Sequence, residues 1–139
     1  MTWEEGQGLD TDFSLPTSAD LSALQYTFVK LDVNGKVVGC TVAGEKTIGV
    51  LQNKPKLGES AVIRPMGLSK VVASAAIAAN DFLAVAGAGG TAKTASRLVA
   101  ATGAASNVAG YALRAAAAVN NVFTAFITAI GGIWPTSDA

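Results

Sequence analysis

The residues with the best claim to chemistry lie at Gly87–Thr94, which reads GAGGTAKT. The string is one residue short of a nucleotide-binding P-loop, G-x-x-x-x-G-K-[ST]. In a P-loop the glycines let backbone amides curl around phosphates, the lysine reaches the β/γ-phosphates, and the hydroxyl holds Mg²⁺. Gly87, Lys93 and Thr94 fit, but Ala92 stands where the second glycine belongs, and its Cβ hinders close backbone approach. A P-loop ATPase also needs an acid after a later strand to hold the metal. Between Asp81 and Asp138 the chain has no Asp or Glu. The stretch therefore reads as a Gly-rich hairpin loop, with Lys93 and Thr94 entering the next strand, and no nucleotide cofactor is expected.

The other chemical residue types are sparse. There is no His, which removes the commonest general base and the commonest metal ligand together. Cys40 is the single cysteine and lies in the apolar run VVGCTVAG, where a small buried residue is the plain reading. Glu4-Glu5, Asp10 and Asp12 cluster near the N-terminus with nothing rigid to hold a catalytic pair. Asp32-Val33-Asn34-Gly35 matches the opening of a calcium loop but lacks the downstream ligands. A type I′ turn explains it instead, with Asn34-Gly35 at its centre. Serines are plentiful, yet neither S-x-x-K nor G-x-S-x-G occurs. The expectation is a protein without a reaction centre: no enzyme, no metal site, no cofactor.

Bulk properties narrow the class further. The chain has 139 residues, enough for one domain with a core, and 10 basic residues balance 10 acidic ones. A neutral chain without a basic cluster has no electrostatic footprint for nucleic acid. Half of the residues are hydrophobic but only 6% are aromatic, and alanine dominates. Small side chains suit thin layers that approach closely. The N-terminus is acidic and lacks an apolar h-region, so it does not read as a signal peptide. Ala115–Trp134 carries no charge, but Asn120-Asn121, Gly131-Gly132 and Pro135 confine its apolar part to about half of the ~20 residues a membrane span needs.

Three zones organise these residues. Met1–Ala19 has no period and reads as an extended arm carrying isolated large apolar residues, Trp3, Leu9, Phe13 and Leu15. These are candidate interface anchors that dock on the same chain or on a neighbour. Residues 20–130 read as a β-rich domain. Gln25–Leu31, Lys36–Val42, Thr47–Leu51, Ala61–Pro65, Leu68–Ala73, Asp81–Ala86, Gly110–Ala115 and Val122–Thr128 are the expected strands, with Met66-Gly67 separating the fourth and fifth. Phe123, Phe126, Ile127 and Ile130 fit the helical template, but their β-branched and aromatic company favours a strand. Leu98–Ala105 is left as a short helix or a loop. Residues 131–139 form a C-terminal tail with a further candidate anchor, Trp134. The fold class is mainly β: a small antiparallel sandwich or barrel with an extended N-terminal arm and little helix.

Several stretches resemble the small β-rich phage capsid cement (decoration) proteins. Ser69–Leu83 (SKVVASAAIAANDFL) resembles that family's strand, "A-x-I-x-x-G-D" turn and strand, with Asn80-Asp81 in place of Gly-Asp. GAGGTAKT follows as a Gly-rich loop. Val108–Ile127 resembles the family's "G-x-A-L-x-A-A" strand, turn and closing strand, and Thr47–Val50 (TIGV) its early "x-x-G-V" strand. The resemblance covers about Phe28–Ile127. It implies a virion protein on the outer capsid surface, a homotrimer bound between capsomers to the major capsid protein, stiffening the shell. It also implies that Ala73–Ala79 and Ala115–Ala118 pack near a threefold axis. A surface- or carbohydrate-binding β-sandwich module is the alternative. No nucleic-acid or membrane partner is expected.

Overall fold

The computed structural model describes residues 11–87, 92–94 and 107–128. Every strand in them belongs to one of two five-stranded sheets. The first contains β1 (Phe13–Pro16), β2 (Phe28–Leu31), β3 (Val37–Gly39), β4 (Gly49–Leu51) and β5 (Ser60–Arg64), in the order β1-β5-β4-β2-β3. The second contains β6 (Met66–Val72), β7 (Phe82–Val85), β8 (Ala92–Thr94), β9 (Gly110–Ala112) and β10 (Val122–Thr128), in the order β6-β10-β9-β7-β8. All strand pairs within both sheets are antiparallel. The all-β expectation holds, and no helix occurs among the described residues. No helix there is therefore long and apolar enough to cross a membrane. Leu98–Ala105 lies outside the described residues.

The first sheet curls until its edges meet. Thr17, just past β1, forms a parallel bridge with Val37 of β3, and the Ser18 amide donates to the Val37 carbonyl. The rolled sheet encloses its own core of Leu21, Val29, Val37, Leu51, Ala61 and Ile63, with Leu15, Ala19, Leu24 and Ile48 packed against it. A second core fills the space between the sheets, built from Phe28, Cys40, Val50, Val71, Leu83, Val85, Phe123 and Ile127 with alanines at 73, 109, 112, 116 and 125. Strand alternation connects the two. Phe28 and Val29 are neighbours on β2, and Val50 and Leu51 on β4, and each pair sends one side chain to each core. β2 and β4 are thus the middle of a layered molecule, which explains why β4 is buried at all three positions.

Closure at the barrel end rests on adjacent residues. The buried Thr17 hydroxyl lies 3.0 Å from the Lys56 carbonyl and 3.1 Å from that of Glu59, and accepts from the Gly58 amide. The Ser18 hydroxyl donates to Asp32 Oδ2 at 2.7 Å. Thr17 and Ser18 so hold the β4–β5 loop and the β2–β3 turn side by side.

That turn differs from the expected type I′. Type I′ requires positive φ at both central residues. Gly35 has φ +77°, but Asn34 is not among the positive-φ residues. Gly35 N donates to Asp32 O, and Asp32 N donates to Lys36 O. This is a type I turn closed by a glycine bulge, the three-residue hairpin loop. The cause is Asp32, whose Oδ1 accepts from the amides of Asn34 and Lys36 and so selects the local turn before the Asn-Gly pair can. Two other expectations change. Met66-Gly67 do not separate strands: they belong to β6, and Pro65 alone divides it from β5. Phe13–Pro16, read as part of an extended arm, is strand β1.

The alanine-rich half contains a pseudo-repeat invisible to composition. Residues 73–81 and 112–121 are two turn units that clasp each other. Asn80 N donates to Ala112 O and Ala112 N to Asp81 O. In the same way Asn120 N donates to Ala73 O and Ala73 N to Asn121 O. Ile77 and Ala116 exchange both amide bonds at the centre. Asn80 (φ +75°) and Asn120 (φ +69°) take the left-handed positions, which accounts for an asparagine where the resembling family has glycine.

Candidate functional site

The structure places the nominated chemical residues apart from one another. Lys93 and Thr94 lie on β8, paired with Leu83 and Ala84 of β7. The hairpin reading stands, and the helix whose N-terminus completes a P-loop is replaced by a strand. Cys40 is fully buried in the inter-sheet core, where burial first, and Glu45 second, push its thiol up to about 12. Among the described residues no three His, Cys, Asp or Glu side chains gather as a metal cluster would need. Among the described residues, the buried polar ones, Thr17, Thr27, Thr47 and Ser69, all have hydrogen-bond partners.

Of the nominated anchors, Leu15 packs into the core of the first sheet, while Phe13 alternates to the other face of β1 and is partly exposed. Trp3, Leu9 and Trp134 lie outside the described residues. Ahead of β1, Asp12 grips Arg64 with both carboxylate oxygens: Nε–Oδ1 is 2.8 Å and Nη2–Oδ2 is 3.0 Å. Arg64 Nη1 also donates to the Leu68 carbonyl, and Thr11 Oγ1 donates to the Met66 carbonyl. These contacts fasten the start of β1 to the rim of the second sheet.

That sheet carries the feature which sequence reasoning missed. Its inner face supplies Val71, Leu83, Ala112, Phe123, Ala125 and Ile127 to the core. Its outer face aligns Leu68 opposite Phe126, Phe126 opposite Tyr111, and Tyr111 opposite Phe82. One row of large apolar side chains therefore crosses four strands, β6, β10, β9 and β7. Tyr111 and Phe126 stack tilted at 35° with ring centroids 5.6 Å apart. Leu68 is 56% exposed, Phe82 41% and Tyr111 37%. Val122, opposite Val72, adds a second apolar rung at 54%. Between the rungs lies Lys70, opposite Thr124, with its Nζ 6.0 Å from the Tyr26 ring. At about 200 Å² per large side chain, the exposed fractions of the two rungs amount to roughly 400 Å² of apolar surface, within the range of patches that mark interaction sites.

Glycines make the row possible. Gly110 (φ +150°) precedes Tyr111, and a Cβ there would sit 2.1 Å from the Phe126 carbonyl oxygen. Only glycine lets β9 approach β10 closely enough to stack Tyr111 on Phe126. Gly49 of the TIGV string does the same in the first sheet, where a Cβ would meet the Arg64 carbonyl oxygen at 2.5 Å.

No family model matches the chain, and no curated protein does. Among solved structures, the fold is similar to the head fiber gp8.5 N base of bacteriophage phi29. That likeness has a TM-score of 0.63 at 17% identity and covers 86% of this chain and 94% of that one.

Proposed function

We propose that this chain is a structural component of a phage virion, attached to the outside of the head by adhesion alone. The observation that carries the reading is the fold shared with a phage head fiber base over nearly the whole of both chains. The apolar row on the second sheet supports it, because it offers a contact surface with no reacting group in it. A standard protein interface covers about 800 Å² per partner and is a little over half apolar. The roughly 400 Å² of the two rungs supplies most of that apolar part.

In this reading the chain acts as a decoration or cement protein. It binds the major capsid protein between capsomers as a homotrimer. Many copies that bind only the mature lattice stabilise that state by mass action. Three linked copies multiply weak contacts through avidity. The outer face of the second sheet, centred on Tyr111 and Phe126, makes the capsid contact.

Co-sedimentation of the purified chain with heads stripped of it tests the proposal. The wild type pellets with heads, and Tyr111→Ser with Phe126→Ser binds on the order of 30-fold more weakly, the effect of losing about 2 kcal/mol at an aromatic centre. Val33→Ser, on the exposed β2–β3 turn, leaves binding unchanged. Failure of the wild type to bind any head, with capture on a glycan surface instead, refutes the virion reading in favour of a carbohydrate-binding module.

A further inference from the structure

We infer that the outer edge of β6 takes a short acidic segment of the partner protein, laid alongside β6 as an added strand. Who that partner is rests on the virion reading; what the edge can hold does not.

β6 is the edge strand of the second sheet, next to β10. Ala73 N donates to Asn121 O, and the direction alternates along the strand, so residues 71 and 69 also bond toward β10. Leu68, Lys70 and Val72 point their backbone groups off the edge. Val72 N donates to Tyr26 O, which closes one end. Thr11 closes the other, donating to the Met66 carbonyl. Between them Leu68 O accepts from Arg64 and Lys70 O from the Ser69 hydroxyl. The amides of Leu68 and Lys70 have no partner among the described residues. The gap thus presents two donors whose neighbouring carbonyls are already in use.

Charge adds a third donor. Lys70 is exposed, and its Nζ lies 6.0 Å from the ring of Tyr26, so the side chain leans along this same gap. The surrounding sheet is basic although the whole chain is neutral. From Met66 to Thr128 its described residues include Lys70, Lys93 and Arg114 against Asp81, whose Oδ2 is spent on the Ala78 amide.

These groups define the occupant. The two amides stand two residues apart, about 7 Å, and call for successive outward carbonyls of an extended segment. On the outer face the residue opposite Leu68 meets an apolar rung, and the one opposite Lys70 meets an ammonium. The matching segment carries an apolar residue and an Asp or Glu two positions apart. A second copy of β6 fits badly. It would bring carbonyls that are already engaged, and would set two Lys70 ammonium groups in one short gap.

Amide NMR on the full chain tests the edge. The probe is a capped six-residue peptide with glutamate and valine two positions apart among threonines; a control has lysine for glutamate. In the free chain the Leu68 and Lys70 amides exchange with heavy water as open amides do. The glutamate peptide shifts both downfield and slows their exchange several-fold, the lysine peptide does neither, and Lys70→Glu reverses the preference. Both amides protected in the free chain overturn the inference, as do amides unmoved by the glutamate peptide. Equal shifts from the lysine peptide or from inorganic phosphate also overturn it.

Co-sedimentation separates this result from the virion reading. Lys70→Ala weakens head binding about threefold. Lys70→Pro, tolerated on an edge strand, also deletes the amide and weakens it about tenfold. Equal binding by wild type, Lys70→Ala and Lys70→Pro overturns the edge contact and leaves head attachment standing. Heads that take up no wild type, while the glutamate peptide still moves both amides, remove the virion partner and uphold the edge.

Discussion

Glu45→Ala is the substitution that best tests how the two sheets are joined. Glu45 Oε1 pairs with Lys30 Nζ at 3.0 Å, and Oε2 accepts from the amides of Thr41 and Val42. This fixes the loop after β3, whose Gly44 donates to Val85 O in the second sheet and accepts from the backbone and side chain of Asn107. The loop is a strap between sheets, and Glu45 is its buckle. The partly exposed ion pair contributes about 0.5–1 kcal/mol. Each amide bond to the carboxylate contributes about 1 kcal/mol, since the exposed Thr41 and Val42 amides turn to water when the acceptor is lost. The sum, about 2.5 kcal/mol, corresponds to a Tm lowered by roughly 10 °C in a chain this size. Glu45→Gln keeps the acceptor oxygen and loses about 1 kcal/mol, or ~4 °C. Calorimetry across pH supplies the sign. Burial raises the Glu45 carboxyl, but the Val42 and Thr41 amides and Lys30 outweigh it and hold the group below its ordinary 4.5. A depressed folded pKa gives stability that is fully present above the unfolded value and lost as pH falls through the folded one. The Tm gap between wild type and Glu45→Gln therefore closes on acidification below that range. A Glu45→Ala protein melting within ~1–2 °C of wild type would refute the strap.

Two further outcomes follow from geometry already described. Gly35→Ala costs about 1 kcal/mol for placing a Cβ in the left-handed region, with open space around it, whereas Asn34→Ala costs under about 0.5 kcal/mol; equal losses in denaturant melts restore the type I′ turn. Cys40, buried with its thiol pushed up to about 12, stays unreactive toward a thiol reagent at neutral pH until the chain unfolds; rapid labelling of native protein refutes its place in the core.

Much of the fold was legible, because β-branched and aromatic runs between Gly and Asn mark strands locally. β2 through β7, β9 and β10 all fall within or beside the runs that sequence reading marks. β1 escaped because Phe13-Ser14-Leu15-Pro16 is four residues among polar ones, and only its antiparallel pairing with β5 reveals the alternation that buries Leu15 and exposes Phe13. Phe126 illustrates the opposite case: the helical template includes it, yet the strand sends it outward and Phe123 and Ile127 inward. The apolar row could not be read in advance. Its members, at 68, 82, 111 and 126, are ordinary strand residues one by one, and only register puts them in line. Spacing along a chain carries no information about which rungs meet across a sheet.

The central position of β2 and β4 has a mechanical corollary. A tug on Tyr111 or Phe126 passes through Phe123 and Val50 into a ply whose reverse side is keyed by Val29 and Leu51 to the rolled barrel. Pulling the second sheet away would uncover Phe28 and Val50 on the very strands whose reverse side carries Val29 and Leu51, so damage to one core is felt by the strands that build the other.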